Sequence, residues 1–271
     1  MRRLALFILC LTALGTRSAA AADLEPKTVA AFDRYVRATE ARMSASTQFL
    51  WTDSLPEPQR KTAAATLGRG EFVIEPLTTK EAGKDIDIPD GIVHHWIGVV
   101  LAKGVTIDQA VALLQDYDRH ADIYKPNVAR SKLLSRTGDD FTVSLRFSMK
   151  KGITVVVNSE HAAHFTRHAP DRVSSRIYST RIAEVEAPDT PKEREEPVGH
   201  DGGYLWRLNS YWRFQQRPEG VYIQCESVTL TRGIPFGLAW LVRPFVTTLP
   251  RETLAFTLET TRKALVPRAA K

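Results

Sequence analysis

The sequence predicts an α+β protein: an N-terminal helix, a long run of antiparallel strands, and one amphipathic helix at the C-terminal end. Three observations predict it. Phe141, Val143, Leu145, Phe147 and Met149 alternate with Thr142, Ser144, Arg146, Ser148 and Lys150, the period of a half-buried strand. Residues 204–216 and 221–232 read as the arms of a hairpin around Arg217-Pro218-Glu219-Gly220. Leu254, Leu258 and Leu265 fall on one stripe of a helix that Thr247, Thr248 and Pro250 open, with Arg251, Glu252, Glu259, Arg262 and Lys263 facing elsewhere.

The elements follow in order. Arg2 and Arg3, the apolar run from Leu4 to Leu14 and the small residues Ala19 to Ala22 have the order of a signal peptide, with cleavage expected near Ala22. This predicts a periplasmic or secreted protein. Residues 25–47 read as a helix, with Val29, Phe32, Val36 and Met43 near a 3.6 period and Pro26 in its first turn. Leu55-Pro56-Glu57-Pro58 breaks that pattern, so residues 50–69 read as a linker. The expected organisation is a signal peptide at 1–22, a helix and linker at 23–69, and the main domain at 70–271.

Within that domain, 71–77 and 92–101 read as strands. Thr106 caps a short helix carrying Ile107, Ala110, Val111 and Leu114 on one side, and a second helical turn is expected at 117–124 before Pro126. Strands follow at 128–135, 141–150, 153–165 and 172–185. Residues 186–203, with three Pro and a dense charge mix, read as an exposed loop. The apolar segment 234–246 is too short to cross a bilayer and reads as a lid.

Composition excludes several classes. The chain has 271 residues, 43% hydrophobic and 25% charged, which is globular rather than fibrous or disordered. Setting aside residues 1–22 leaves 249, and removes three arginines from the 37 basic residues, so 34 stand against 31 acidic. A net charge of +3 with no basic run is no footprint for nucleic acid. Cys225 is then the sole cysteine, so no internal disulfide forms, and it reads as a small buried hydrophobe. Gly68-x-Gly70 lacks the strand-then-helix frame of a nucleotide loop. His161, His164 and His168 would share a face on a helix, but as a strand His161 points opposite to His164. No HExxH or GxSxG occurs. No metal and no cofactor is expected.

Residues 90–266 carry a resemblance. Tyr211-Trp212-Arg213-Phe214, Gly220-Val221-Tyr222, Glu226, Leu230-Thr231-Arg232-Gly233-Ile234-Pro235 and Leu249-Pro250-Arg251-Glu252 resemble the last hairpin and gripping helix of exported bacterial members of the START/Bet v-like helix-grip (SRPBCC) superfamily. The resemblance covers about two-thirds of the chain. It implies a curved antiparallel sheet of about seven strands wrapped on the C-terminal helix, with an N-terminal helical extension outside it. The superfamily spans lipid carriers, polyketide cyclases, aromatases and pure binding modules, so it implies a fold more sharply than a function.

A sheet gripping one helix leaves a gap that holds apolar ligands. The expected lining is Phe141, Leu145, Phe147, Trp212, Phe214 and Ile223, closed by Trp240, Phe245, Leu254 and Leu258. Pairing about the 217–220 turn puts Trp212, Phe214, Ile223 and Cys225 on the helix-facing side, with Arg207, Asn209, Arg213, Gln224 and Glu226 on the other. Tyr211, Arg213, Tyr222 and Glu226 share a face: turned inward they would orient a ligand or shuttle a proton, turned outward they form a solvated cross-strand ion pair. The expected function is therefore non-catalytic binding or transport of a hydrophobic or lipid-like small molecule. Transient membrane contact would run through 234–246. The alternatives are a cyclase- or aromatase-like enzyme in the same cavity and an interaction module with a filled core.

Overall fold

Alternation at period two governs the central half of the chain, and the main sheet follows it. The structure, a computed structural model, describes residues 22–151, 153–233 and 248–266. In chain order the elements are β1 (Ala22–Asp23), α1 (Pro26–Ala45), a 3-10 turn (Trp51–Ser54), α2 (Glu57–Gly68), β2 (Val73–Pro76), β3 (Lys80–Glu81) and β4 (Lys84–Asp85). Next come β5 (Gly91–Lys103), α3 (Ile107–Gln115), a 3-10 turn (Tyr117–Arg119) and α4 (His120–Ile123). The strands β6 (Val128–Thr137), β7 (Asp140–Lys151), β8 (Ile153–Ala169) and β9 (Arg172–Glu186) follow. Then come β10 (Arg194–Glu195), β11 (His200–Asp201), β12 (Arg207–Arg217), β13 (Gly220–Arg232) and the C-terminal helix (Leu249–Leu265).

The main sheet is antiparallel throughout, in the order β2-β5-β13-β12-β9-β8-β7-β6, with β10 paired to β9. Among the described residues this is nine strands, where the resemblance over 90–266 implies about seven. The other two are β2, the strand expected at 71–77, on the edge beside β5, and the two-residue β10, which was not expected. A sheet gripping a C-terminal helix, with α3 and α4 between β5 and β6, is the helix-grip arrangement.

The inner face carries the larger core. Val100 and Ala102 of β5, Phe141 and Val143 of β7, Trp212 and Phe214 of β12, and Ile223 and Cys225 of β13 pack with Leu254 and Leu258 of the C-terminal helix. Trp212 pairs with Cys225 and Phe214 with Ile223, so the hairpin faces as its alternation predicts. Gly98 lets the helix approach, since a Cβ there would stand 2.5 Å from Leu258 Cδ1. Thr106 and Gln109 form the capping box that starts α3.

Three expectations are corrected. Residues 57–68 of the expected linker are helical, because the Pro56-Glu57-Pro58 stretch opens a helix rather than breaking one, and Ala63-Ala64-Ala65 continues it. Leu50 and Leu67 then bury against Val99, Leu101 and Tyr222 on the sheet's outer face. The buried stripe of α1 is Thr28, Phe32, Tyr35 and Thr39, rotated from the expected apolar one. Hydrogen bonds make that rotation tolerable: Thr28 Oγ1 donates to the Pro89 carbonyl at 2.7 Å, and the Thr39 and Thr79 hydroxyls meet at 2.7 Å. The 186–203 segment is mostly exposed, but β11 pairs with β1 and buries Asp201.

Gly220 opens β13 at φ +148°, and a Cβ there would lie 2.2 Å from the Ala102 carbonyl oxygen on the neighbouring strand. Gly220→Ala should therefore destabilise the fold by about 1–3 kcal/mol, the range for forced backbone strain. Thermal unfolding checks this; an unchanged Tm would contradict the tight β13–β5 pairing.

Candidate functional site

The C-terminal helix lies chiefly on β5, with lesser contact to β13 and α3. The inner faces of β7, β8 and β12 are left partly uncovered by it, and a cavity of about 650 Å³ opens there. Its wall is mostly apolar: Trp96, Leu114, Leu145, Phe147, Ile177, Trp212 and Leu254 contribute. Natural interiors hold few voids larger than a water molecule, so a space of this size is a candidate binding volume.

Four of the expected lining residues reach it: Leu145, Phe147, Trp212 and Leu254. Phe141, Phe214, Ile223 and Leu258 lie instead in the packed core beside it. There Phe141 meets Phe165 edge-on at 5.4 Å between centroids, and Phe214 stacks on Trp212 at 6.2 Å. These rings are consumed in packing each other and α3. Trp240, Phe245 and the expected lid at 234–246 lie outside the described residues.

Tyr211, Arg213, Tyr222 and Glu226 face away from the cavity. The parity is as expected for an outward face, but the solvated ion pair is corrected, because the N-terminal segment covers that face. Glu226 is 2% exposed and accepts from Arg42 of α1 and, at 2.7 Å, pairs with His95 Nε2. His95 Nδ1 meets the Tyr35 hydroxyl at 2.9 Å, and that hydroxyl accepts from the Thr79 amide at 2.8 Å. Arg213 donates to the Phe49 carbonyl at 2.7 Å, and Tyr211 donates to Glu40 at 2.9 Å. Tyr222 donates to Glu219 at 2.6 Å. Glu226, Tyr211 and Arg213 anchor α1 and its following turn to the sheet, which sequence reasoning missed. The signal was present: residues 221–230 are apolar or uncharged at both parities, apart from Glu226, as in a strand covered on both faces.

The cavity's polar lining was also missed. Ser227, Thr229 and Thr231 recur at every second position of β13 on the parity of Cys225, and His94 of β5 joins them. His94 Nε2 lies 3.0 Å from Thr231 Oγ1. His120 and His161 line the opposite side, and His120 Nε2 donates to the Leu114 carbonyl at 3.0 Å. Burial pushes all three imidazoles down to about 4, so each is neutral near pH 7. Burial also raises the Cys225 thiol, with Glu226 adding to the shift, which leaves it an inert wall group. Among the described residues, no group of three or more His, Cys, Asp or Glu is placed to hold a metal ion.

One end of the cavity is shaped by carboxylates behind its wall. Glu184 accepts from the amides of Gly202 at 3.0 Å and Tyr204 at 2.8 Å, and both residues line the cavity. Asp201 accepts from the Gly203 amide at 2.8 Å and from Trp206 Nε1 at 3.0 Å. Burial, and then the neighbouring Asp201 charge, push the Glu184 carboxyl up to about 7.

No family model and no curated protein matches the sequence. Among solved structures the chain is similar to the STAR-related lipid transfer protein from Xanthomonas axonopodis, at 21% identity over 70% of this chain and 98% of that one, TM-score 0.44. It is similar to human STARD10 at 13% identity over 77% of this chain and 81% of that one, TM-score 0.44. It is similar to the Zhui aromatase/cyclase from Streptomyces sp. R1128 at 12% identity over 65% of this chain and 92% of that one, TM-score 0.41. The likeness is one of fold; what those proteins bind or do is theirs.

The buried imidazoles set a pH dependence. Each takes up a proton in the unfolded chain near its ordinary 6.5 but in the folded one only near 4, so the stability that depends on their neutrality is complete above pH 6.5 and is lost as pH falls towards 4. Glu184 acts in the opposite sense, holding its proton up to about 7 when folded against 4.5 when unfolded, so it returns stability as pH falls through that window. The Asp201 carboxyl, also raised by burial, acts with Glu184; three imidazoles outweigh these two carboxyls, and the exposed His168 and His200 shift in opposite directions. Urea midpoints should fall from pH 7 to pH 5; a flat or rising profile would contradict the burial of these histidines.

Proposed function

We propose that the protein binds an apolar or amphipathic small molecule, lipid-like in character, in the cavity between the sheet and the C-terminal helix. It holds that molecule without transforming it. The single observation that carries this reading is the cavity itself, about 650 Å³ in volume with a mostly apolar wall. That size suits a drug-sized or short lipid-like molecule. Its described charged residues, Lys150, Arg232 and Glu252, are few beside its rings and aliphatic side chains. The neutral state of the cavity imidazoles further supports binding over catalysis, since none is paired with a carboxylate and the Glu226–His95 pair lies on the other face of the sheet. With residues 1–22 as an export signal, this binding takes place outside the cytoplasm.

The neutral fluorescent probe N-phenyl-1-naphthylamine tests the reading. Titration should give a saturable rise in emission with one site per chain. Ser227 lines the cavity and is half-buried, so Ser227→Trp projects an indole into the space. It should weaken binding at least about tenfold, equivalent to about 1.4 kcal/mol, while Tm holds. A wild-type protein that does not bind the probe, or a variant that binds it as well as wild type, would sink the reading.

A further inference from the structure

We propose that the α-ammonium group of the mature chain, freed by cleavage between Ala21 and Ala22, is the counter-ion of the buried Asp201 carboxylate. This rests on the export reading above and names the bond that is cut, one residue inside the 1–22 segment.

The carboxylates behind the cavity wall lack a positive charge. Asp201 is 2% exposed, and its charge acts on the half-buried Glu184 carboxyl. Buried carboxylates are ordinarily paired with a cation, yet among the described residues neither of these makes an ion pair. Their partners are uncharged: the amides of Gly202, Gly203 and Tyr204 and the Trp206 indole. Asp201 Oδ2 has no hydrogen-bond partner among the described residues. The nearby cations have other contacts. His200 pairs with Asp23, and Arg232 Nη1 donates to the Gly202 carbonyl at 3.1 Å, offsetting the raised Glu184 carboxyl only in part.

β1 is placed to supply the missing charge. Ala22 is the register partner of Asp201, and the Leu24 amide donates to the Gly199 carbonyl at 2.7 Å just beyond the two-residue ladder. Ala22 packs on the apolar cluster that holds Trp206, the residue whose indole bonds Asp201. Cross-strand partners stand about 4.5–5.5 Å apart at Cα. A charge on the Ala22 nitrogen therefore falls within the roughly 4–6 Å over which opposite charges stabilise each other. The nitrogen is already in the ladder. Cleavage converts it in place from an amide to an ammonium, so nothing has to reach Asp201 from solvent.

The small-residue rule leaves two bonds open, since Ala19-x-Ala21 and Ala20-x-Ala22 both satisfy it. The register separates them. A cut after Ala22 would make Asp23 the first residue, and Asp23 lies opposite His200, with which it already pairs. A cut before Ala22 places the new charge opposite the carboxylate that lacks one.

The test begins with export of the full chain, then intact mass and N-terminal sequencing of the recovered protein. Ala22 should be the first residue. Its α-amine should titrate at about pH 9 or above, against about 7.7–8.0 for an unperturbed one, read from the pH dependence of its acetylation. Inserting a glycine and a serine between Ala21 and Ala22 carries the ammonium away from Asp201 and should lower Tm by at least about 2 °C. Asp201→Asn keeps an acceptor oxygen for Gly203 and Trp206; in that background the insertion should leave Tm unchanged and the α-amine should titrate in its ordinary range. If Asp201→Asn fails to fold, acetylation of the processed wild-type N-terminus makes the same comparison, with the same loss of Tm expected. A first residue other than Ala22, an ordinary α-amine, or an insertion whose effect on Tm is nil or independent of Asp201 would overturn the pairing and leave the export reading standing. A chain recovered with its first residues intact would overturn both.

Discussion

A path of eight hydrogen-bonded strands offers two faces, and both must be kept from water, yet among the described residues one long helix lies on the inner face. The rest of the structure depends on that mismatch. A helix of 17 residues is about 25 Å long and one helix wide, which is less than the sheet presents. Leu258 seated over Gly98 draws it to the β5 side. The inner faces of β7, β8 and β12 beyond its reach then either pack on α3, as Phe141 and Phe165 do, or line the space that remains. The cavity follows from where the helix sits rather than from any one lining residue.

The outer face has the opposite solution. It is covered fully enough that β13 is buried on both sides over most of its length. The covering elements bring polar chains as well as apolar ones: Phe32 and Tyr35 pack with Val228 and Leu230, and Leu50 and Leu67 with Val99 and Leu101. Glu226 meets Arg42 and His95, Gln224 accepts from the Trp51 amide at 2.6 Å, and Arg217 reaches Asp53 at 2.5 Å. Such contacts have strict geometric requirements, so they fix the position of the N-terminal segment more than they stabilise it. Polar specificity on one face and an apolar void on the other divide the roles of a single strand pair by parity alone.

That division explains what could be read in the sequence. Phe141 to Lys150 alternate so strictly that the strand and its inner face were legible, and the turn at Gly220 set the register that turns Trp212 and Cys225 inward. Leu254 and Leu258 marked the helix side that meets the sheet. Which inward residue meets the void and which meets another ring was not legible, because Phe141 and Phe147 share a face and a residue type. They differ only in lying near α3 or beyond it. The covering of the outer face was missed because Pro56 and Pro58 look like a break, although proline in a first turn is also how a helix begins. The hydroxyl column at Ser227, Thr229 and Thr231 was present at period two, but its meaning depended on a cavity that only the packing of the helix creates.

A protein that binds a ligand in this cavity holds it there in its working state. Native mass spectrometry on the gently purified protein tests this most directly. A mass excess that disappears on denaturation, with an apolar molecule recovered in the organic extract, is the predicted result. A bare protein mass, from a protein that also takes up none of a panel of neutral fluorescent lipids, would contradict it.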